Sequence, residues 1–326
     1  MTCAISRLNG FGGVVLLAMS AVVSTAHAQY PTKPVRMIIP FPPGGGTDAI
    51  GRIVSQKLSD VFKQQVIMDN RPGAGANIGV ELAARSAPDG YTLLLATISN
   101  AISAGLYAKL NYDLIRDFSP VTLLATQPLL LTVHPSLPVK SVRELIQFAK
   151  HAPNQLSYSS AGNGTPTHLA GELFRQSAQI SMTHVPYKGG GPSVIALISG
   201  EVPVSIASLP SVLVYVRANK LRGLAVSSGK RSPSAPEFPT LSEAGVAGYD
   251  VTAWYGLLAP AGTPGSIIAR LNTEVALLLK APDARQLLDR LGFEITVNSP
   301  KEFSAFISED IQKWMRIVKA SGTRVE

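Results

Sequence analysis

The sequence has 326 residues, a net charge of +8 at neutral pH and a single cysteine, Cys3. One thiol cannot form an internal disulfide, and it makes a cysteine-rich zinc site improbable. The lysines and arginines are scattered, without the basic helix or the aromatic motif of nucleic-acid-binding proteins, so we expect no nucleic-acid partner.

The first 28 residues have the pattern of a secretory signal peptide. Arg7 provides a positive n-region, residues 11–23 form an apolar h-region, and residues 26–28 read A-H-A, which fits an A-x-A cleavage site. The apolar segment is too short to cross a bilayer. We therefore predict export of the protein, cleavage after Ala28 and a mature chain without any thiol.

From Tyr30 onward, apolar runs alternate with amphipathic segments, which is typical of an α/β protein with mostly parallel sheets. Two long apolar runs interrupt this alternation, and we interpret them as crossings between two lobes with a hinged cleft. The expected division is residues 29–127 and 257–326 for lobe 1 and residues 128–256 for lobe 2. The predicted strands are 35–41, 66–68, 91–96, 156–159, 182–187, 202–207, 224–227 and 251–259, and residues 120–133 are predicted as strand, bend and strand. The predicted helices are 47–62, 78–85, 141–150, 166–174, 193–199, 264–280, 282–291 and 300–320, with a short helix ending near Tyr107.

The first glycine-rich turn lies within residues 38–52, which read IIPFPPGGGTDAIGR. The prolines end a strand, the glycines permit a sharp turn, and Thr47 is a good N-cap for the next helix. The amides and dipole of such a helix start suit a phosphate or a carboxylate. A tight turn without a ligand fits the same residues. Asp48 either stabilises the helix dipole or accepts the amine of an amino-acid ligand.

Three similar turns follow, at residues 70–77 (NRPGAGAN), 160–166 (SAGNGTP) and 188–192 (KGGGP). In the third turn of the chain, Thr165 and Pro166 are the expected N-cap and first residue of a helix. The carboxyl ends of parallel strands share one edge of a sheet, where ligands bind. Four such turns, two in each lobe, favour a binding protein over an enzyme.

Known catalytic and cofactor motifs are missing. The glycines at 73, 75 and 79 do not have the G-x-G-x-x-G spacing, no Walker A motif occurs, and residues 158–162 (YSSAG) lack the first glycine of G-x-S-x-G. The histidines have no metal-ligand spacing. The sequence therefore predicts no cofactor, no metal and no enzyme activity. The competing hypothesis is a secreted hydrolase or isomerase with His168 or His184 as its base.

Several side chains allow two interpretations. His168 could touch a ligand, although a hydrogen bond within its own lobe is favoured. Lys188 could pair with an anion, although a solvated lysine is the simpler interpretation. Trp254 and Tyr255 could form a wall of the cleft, although core packing is the default for aromatic residues.

Six segments of the chain resemble the periplasmic solute-binding proteins of tripartite tricarboxylate transporters, also called the Bug family of extracytoplasmic receptors. The segments occur in the family's order and run nearly the full length that follows the signal peptide. The dipeptide Ala104-Gly105, after Asn100, stands where the family often has Asn-Pro. The six segments are PFPPGGGTDAIGR from Pro40, DNRPGAGANIG from Asp69, APDGYTLLLATISNAI from Ala87, SSAGNGTPTHLAGELF from Ser159, HVPYKGGGPS from His184 and WYGLLAPAGTP from Trp254.

The resemblance implies a two-lobed, periplasmic-binding-protein-like α/β fold, with a cleft between lobes that are joined by two hinge strands. It also implies a small carboxylate ligand held by main-chain amides and small hydroxyl groups, a membrane transporter as the transient partner, and a monomer in the periplasm. A ligand-presenting receptor for a sensor kinase is the related alternative. The implied ligand-binding residues are Pro42, Gly44, Gly45, Thr47, Asp48, Thr97 and Ser99 in the first lobe, and Ser160, Gly162, Asn163, Thr165, His168, Tyr187, Lys188, Gly189 and Pro192 in the second.

Overall fold

The computed structural model describes residue 1 and residues 30–44, 46–151 and 155–322. Gly45 and, apart from Met1, the predicted signal peptide lie outside the described residues. The described strands are β1 (Val35–Ile39), β2 (Val66–Asn70), β3 (Thr92–Thr97), β4 (Phe118–Val133), β5 (Ser157–Ser160), β6 (Thr183–Pro186), β7 (Val204–Ser208), β8 (Arg222–Val226), β9 (Thr252–Pro260) and β10 (Glu294–Ile295). The described α-helices are α1 (Gly46–Phe62), α2 (Asn77–Ala84), α3 (Ile98–Leu106), α4 (Val142–His151), α5 (Pro166–Ser177), α6 (Gly190–Ser199), α7 (Leu209–Arg217), α8 (Gly265–Lys280), α9 (Pro282–Arg290) and α10 (Pro300–Ser321).

All these strands join one mixed sheet, whose main path is β2-β1-β3-β9-β4-β7-β5-β6, with β8 and β10 paired to β4. Strand β1 pairs in parallel with β2 and β3, and β5 pairs in parallel with β6 and β7. Strands β4 and β9 run antiparallel to each of their neighbours. The prediction of parallel pairing therefore holds on either side of the crossing strands, and those two strands make the whole sheet mixed.

Strand β4 belongs to two parts of the sheet. Its residues 118–128 pair with β9, and its residues 129–133 pair with β7 and β8. We call β1, β2, β3, β9, β10 and residues 118–128 the first half, and β5 to β8 with residues 129–133 the second half. The stretch predicted as strand, bend and strand is thus one continuous strand, with register shifts near Pro120 and Leu123.

Helices cover both faces of each half. In the first half, α1 and α8 pack on one face, and α2, α3 and α10 pack on the other. In the second half, α6 and α7 cover one face, and α4 and α5 cover the other. The long helix α10 contacts α3, β4 and α5, so one apolar core continues from the first half into the second.

The crossing strand β9 is anchored to α10 by a buried carboxylate. Asp310 on α10 accepts hydrogen bonds from the indole N–H groups of Trp254 (2.7 Å) and Trp314 (3.1 Å), and both indoles are fully buried. Trp254 therefore belongs to the core, which was the favoured interpretation of this residue. A buried carboxylate with several donors satisfies its hydrogen-bonding capacity without water.

Some helix starts differ from the prediction. Helix α1 begins at Gly46, so Thr47 lies inside its first turn, and α6 begins at Gly190, three residues before the predicted start. Pro264, and not Thr263, is the N-cap of α8. Helix α7 was not predicted, because its sequence LPSVLVYVR is rich in the β-branched residues that favour strands.

Candidate functional site

The carboxyl ends of parallel strands from both halves meet near the middle of β4. Thr97, the last residue of β3, pairs with Tyr255 of β9, and Tyr255 pairs with Ala125 of β4. Ser208, the last residue of β7, pairs with Leu129 of β4. Four residues of an extended strand span roughly 13 Å. The two carboxyl edges therefore face each other at a spacing that suits a small molecule.

The glycine turn of the first half is held by a carboxylate. Gly44 has a φ of +93°, and its N–H donates to Oδ2 of Asp48 (3.1 Å). Pro42 and Gly44 are exposed, whereas Thr47 is half-buried. The predicted contact Gly45 lies outside the described residues. The exposed part of this turn is available to a ligand, but the Gly44 amide already has a partner.

Asp48 supports this turn from below. Asp48 is 4% exposed, and its carboxylate also accepts hydrogen bonds from Nε (2.9 Å) and Nη2 (3.4 Å) of Arg52 and from Asn70 (3.4 Å). Burial alone would raise the pKa of Asp48, but the bonds from Gly44 and Arg52 outweigh this effect and lower the pKa. Because four donors from three residues converge on it, Asp48 fits the interpretation of a supporting residue better than that of a receptor for a ligand amine.

A capping box follows β3 at the same edge. The side chain of Thr97 accepts from the Ser99 N–H (3.3 Å), and the Thr97 N–H donates to Oδ1 of Asn100 (2.8 Å). Thr97 is 3% exposed and Ser99 is half-buried. Nδ2 of Asn100 is buried without a hydrogen-bond partner among the described residues. Helix α3, which begins at this cap, contacts α5 of the second half.

The glycine turn of the second half is held by uncharged groups. The Ala161 N–H donates to Oγ1 of Thr167 (2.9 Å), and the Gly162 N–H donates to Oγ of Ser160 (3.1 Å). Thr165 is the N-cap of α5, as predicted, and its hydroxyl donates to the Gly162 carbonyl (2.7 Å). The N–H of the exposed Asn163 has no partner among the described residues.

Two stacked histidines lie beneath this turn. The rings of His168 and His184 are 3.9 Å apart between centroids and are tilted by 15°. Nδ1 of His168 accepts from the Gly164 N–H (3.0 Å), and Nε2 of His184 is 2.6 Å from Oγ of Ser160. Burial lowers the pKa of His168, and burial together with His168 lowers the pKa of His184 to about 4. His168 therefore makes the hydrogen bond within its own lobe that was the favoured interpretation.

The Ser160–His184 pair does not have the geometry of a serine hydrolase. Ser160 is 0% exposed, so a substrate cannot reach its hydroxyl. No carboxylate among the described residues hydrogen-bonds to the ring of His184, whereas a triad needs such an orienting group. Glu172, the nearby carboxylate, is bonded to Tyr158 (2.8 Å) and Arg175 (2.7 Å).

The loop after β6 lies along the same turn. The Tyr187 N–H donates to the Ser160 carbonyl (3.1 Å), and the Gly189 N–H donates to the Ala161 carbonyl (3.0 Å). The Tyr187 hydroxyl donates to Glu201 (2.9 Å), and Lys188 is exposed. Pro192 lies in the first turn of α6 and is exposed as well. The structure thus places the nine predicted residues of the second half in two adjoining turns and at the ends of the strand and helices next to them.

Sequence reasoning missed a polar cluster that connects the two halves. Oε1 of Gln127 accepts from the hydroxyls of Ser208 (3.0 Å) and Tyr255 (3.4 Å), and its Nε2 donates to the Leu291 carbonyl (3.2 Å). A Cβ on Gly46 would lie 3.1 Å from the Tyr255 hydroxyl. One local signal could have pointed to Ser208. It ends a short strand and is followed by Leu-Pro, and a proline often lies in the first turn of a helix, so Ser208 is at a junction between a strand and a helix.

A cavity of about 1100 Å³ lies elsewhere, between α7 on one side and α8, α9 and β10 on the other. None of the predicted site residues lines it. The described residues contain no group of three or more side chains that could hold a metal ion, and no helix among them is long and apolar enough to cross a membrane.

Comparison with known proteins places this arrangement in a family. The model of the tripartite tricarboxylate transporter family receptor matches residues 50–323. BugT of Bordetella pertussis is 33% identical over 323 residues, which cover 98% of this chain and 99% of BugT.

Two solved structures extend the likeness to the fold. A protein of R. palustris solved with adipate has a TM-score of 0.80 and 36% identity, and the match covers 91% of this chain and 100% of that one. MatC from Rhodopseudomonas palustris, solved with bound malate, has a TM-score of 0.76 and 30% identity over 89% of this chain and 100% of its own. The predicted two-lobed α/β fold is confirmed, and the chain belongs to the tripartite tricarboxylate transporter receptor family.

Proposed function

We propose that the protein is a periplasmic solute-binding protein that captures a small carboxylate between its lobes. The observation that carries this proposal is the meeting of two carboxyl edges over residues 125–129 of β4. In α/β sheets, ligands bind outside the carboxyl ends of the strands. The structures with adipate and malate support a carboxylate, because both of those molecules are dicarboxylates.

The carboxylate binds first to the turn of the second half. The main-chain N–H of Asn163 has no partner in the described part of the chain, and the start of α5 carries a partial positive charge. Ser160, Gly162, Thr165 and His168 hold this turn in shape by the hydrogen bonds described above. Hydrogen bonds from main-chain amides to a carboxylate are charge-assisted, and they avoid the cost of burying a side-chain cation.

The first half closes over the bound carboxylate. Its contacts are Pro42, Gly44, Gly45 and Thr47 of the first turn, of which Pro42 and Gly44 are exposed, and the hydroxyl of Ser99 beside Thr97. Asp48 supports this turn without touching the ligand. The loop of Tyr187, Lys188, Gly189 and Pro192 borders the remainder of the ligand and affects selectivity.

Closure delivers the ligand to a tripartite tricarboxylate-type membrane transporter. The lobes are residues 29–127 with 257–326 and residues 128–256, and the change of partners along β4 between Pro128 and Leu129 supports the first of these boundaries. A ligand that contacts both lobes stabilises the closed state by its differential affinity. The membrane partner then binds the closed form, in the periplasm, after the signal peptide has been cleaved.

A binding assay with a matched neutral ligand tests this function. Purified protein that begins after Ala28 is titrated with adipate, malate, acetate and adipamide by calorimetry, and melting curves are recorded with the same compounds. A ligand at 100 times its dissociation constant stabilises the native state by about 2.7 kcal/mol. We expect at least one dicarboxylate to raise the melting temperature, whereas the uncharged adipamide leaves it unchanged.

The same samples distinguish a receptor from an enzyme. After overnight incubation, mass spectrometry should recover the acid unchanged, with one molecule bound per chain. Conversion of the acid into a product would overturn the proposal that the protein is a receptor. Equal binding of adipate and adipamide would overturn the proposal that the site recognises a carboxylate.

A further inference from the structure

The turn of the second half is held by a histidine that has to be neutral. Nδ1 of His168 accepts the Gly164 N–H at 3.0 Å, so the ring proton lies on Nε2. An imidazolium has two N–H donors and no acceptor. A second proton on His168 would therefore point directly at the Gly164 N–H, and the hydrogen bond would be lost.

His184, the other ring of the stack, contacts the same turn through the Ser160 hydroxyl. The Ser160 hydroxyl accepts the Gly162 N–H at 3.1 Å, which leaves its own proton for Nε2 of His184 at 2.6 Å or for the Gly162 carbonyl at 3.2 Å. The shorter contact is with His184. With the two rings 3.9 Å apart, protonation of both histidines would place two positive charges in van der Waals contact.

The ionisable groups around the stack are already paired. On α5, Glu172 binds Arg175 and the Tyr158 hydroxyl of β5, and the Tyr249 hydroxyl donates to the Ala170 carbonyl. The α3, α6 and β7 segments near α5 or β5 carry no ionisable side chain. On α10, the buried Asp310 is bonded to two tryptophans and to a lysine. Lys188 beside the turn is exposed to solvent.

We propose that His168 is a positioning residue for anion binding, which fixes the Gly164 turn only while its imidazole is neutral. This inference rests on the proposed function, since it concerns the same carboxylate site. Protonation of His168 frees Gly164, whose φ of +72° lets the backbone rearrange, and the Asn163 amide next to it loses its orientation. Ligand affinity then falls in acid, beyond the loss that titration of the ligand itself causes.

The direction of the pH effect follows from burial. Burial disfavours the charged imidazole, so the pKa of His168 lies below its usual value, and the neutral form dominates at pH 7. The hydrogen bond to Gly164 is therefore complete at neutral pH and is lost as the pH falls through the lowered pKa.

The test uses adipate and malate as probes, with calorimetric titrations between pH 7.5 and pH 4.5. His168→Asn keeps an acceptor near the position of Nδ1 but cannot be protonated, whereas His168→Phe removes the acceptor. His134→Asn is the matched control, because Nδ1 of His134 also accepts a backbone N–H, from Ser136, far from the cleft.

We expect His168→Asn to bind within about threefold of the unchanged protein at pH 7.5, and His168→Phe to bind at least tenfold more weakly. Between pH 7.5 and pH 5, the unchanged protein and His134→Asn should lose about fivefold more affinity than His168→Asn. Parallel pH profiles of the unchanged protein and His168→Asn would overturn the inference and leave the proposed function intact. Absence of binding by the unchanged protein at every pH would instead overturn the proposed function.

A second measurement needs no ligand. In the NMR spectrum of the free protein, the amide signal of Gly164 should shift with the titration of the His168 ring, and the shift should disappear in His168→Asn. A Gly164 signal that does not follow the His168 titration would overturn the inference, whatever the ligand is.

Discussion

The two glycine turns that follow β1 and β5 are held in opposite ways. In the first half, the Gly44 amide is bound by the ionised carboxylate of Asp48. In the second half, the amides of Gly162 and Gly164 are bound by a hydroxyl and by a neutral imidazole. An anion that approaches the first turn meets a carboxylate bound to the turn itself, whereas Glu172, the carboxylate near the second turn, is paired with Arg175 and accepts from none of that turn's amides.

This difference indicates that the two turns have unequal roles. Arg52 offsets the charge of Asp48 only in part, because its side chain is 64% exposed and screened by water. We therefore expect the second turn to be the better anchor for a carboxylate and the first turn to cover it. The two turns also respond to different ranges of pH, since one depends on a carboxylate and the other on histidines.

The largest effect should come from Thr165→Val. This change removes the hydroxyl that caps α5 and binds the Gly162 carbonyl, so the anchor turn loses its shape. We expect adipate or malate, whichever binds, to bind at least tenfold more weakly, with a cap loss of about 1 kcal/mol in the free energy of unfolding. Calorimetry and chemical denaturation measure the two quantities.

Ser299→Ala is the control for Thr165→Val. It also removes a capping hydroxyl, from α10, and should cost similar stability without changing affinity. If both variants weakened binding equally, the second turn would not be the anchor.

A smaller effect of opposite sign is expected for Asp48→Asn. Removal of one screened charge near the cleft should strengthen carboxylate binding about two- to fivefold, while the amide oxygen can still accept from Gly44. Weaker binding of a simple carboxylate would show that Asp48 orients the first turn for direct contact. An amino-acid ligand that binds more weakly to the variant would show that Asp48 accepts its amine.

The same variant tests the acid response of the first turn. Because the folded pKa of Asp48 is lowered, its carboxylate stabilises the fold above its unfolded pKa of about 3.9. This contribution disappears as the pH falls through the folded pKa. The difference in unfolding free energy between the unchanged protein and Asp48→Asn should therefore be constant near pH 7 and shift in favour of Asp48→Asn as the pH falls through the folded pKa.

The smallest effect should come from Tyr255→Phe. Its hydroxyl contributes one long hydrogen bond of 3.4 Å to Gln127, and Gln127 keeps its bond from Ser208. We expect less than a twofold change in affinity and about 0.5–1 kcal/mol in stability. A tenfold loss of affinity would show that the Tyr255 hydroxyl itself touches the ligand.

Most of the fold could be predicted because its helices and strands have clear periods. The strand before the first turn is an apolar run that is buried on both faces, and the helix after it has buried apolar residues at spacings of three to four, such as Ile50, Ile53 and Val54. Helix α7 could not be predicted, because its valines favour a strand and only its packing in the folded protein makes it a helix.

The site was predictable where its contacts are local. The Thr165 cap and the bond between His168 and Gly164 join residues three and four positions apart, so the sequence contains both partners. Gln127 binds Ser208 and Tyr255, which are 81 and 128 positions away in the sequence, and no local sequence pattern predicts such contacts. The membership of individual residues in the ligand site stays a prediction.

Strand β4 has a consequence for how this protein can be divided. It gives its first eleven residues to one half and its last five to the other, so neither half has a complete sheet without it. The crossing is therefore not a loose linker that could be cut. We infer that the lobes cannot be produced as separate domains, and that heating should unfold them together in one cooperative transition.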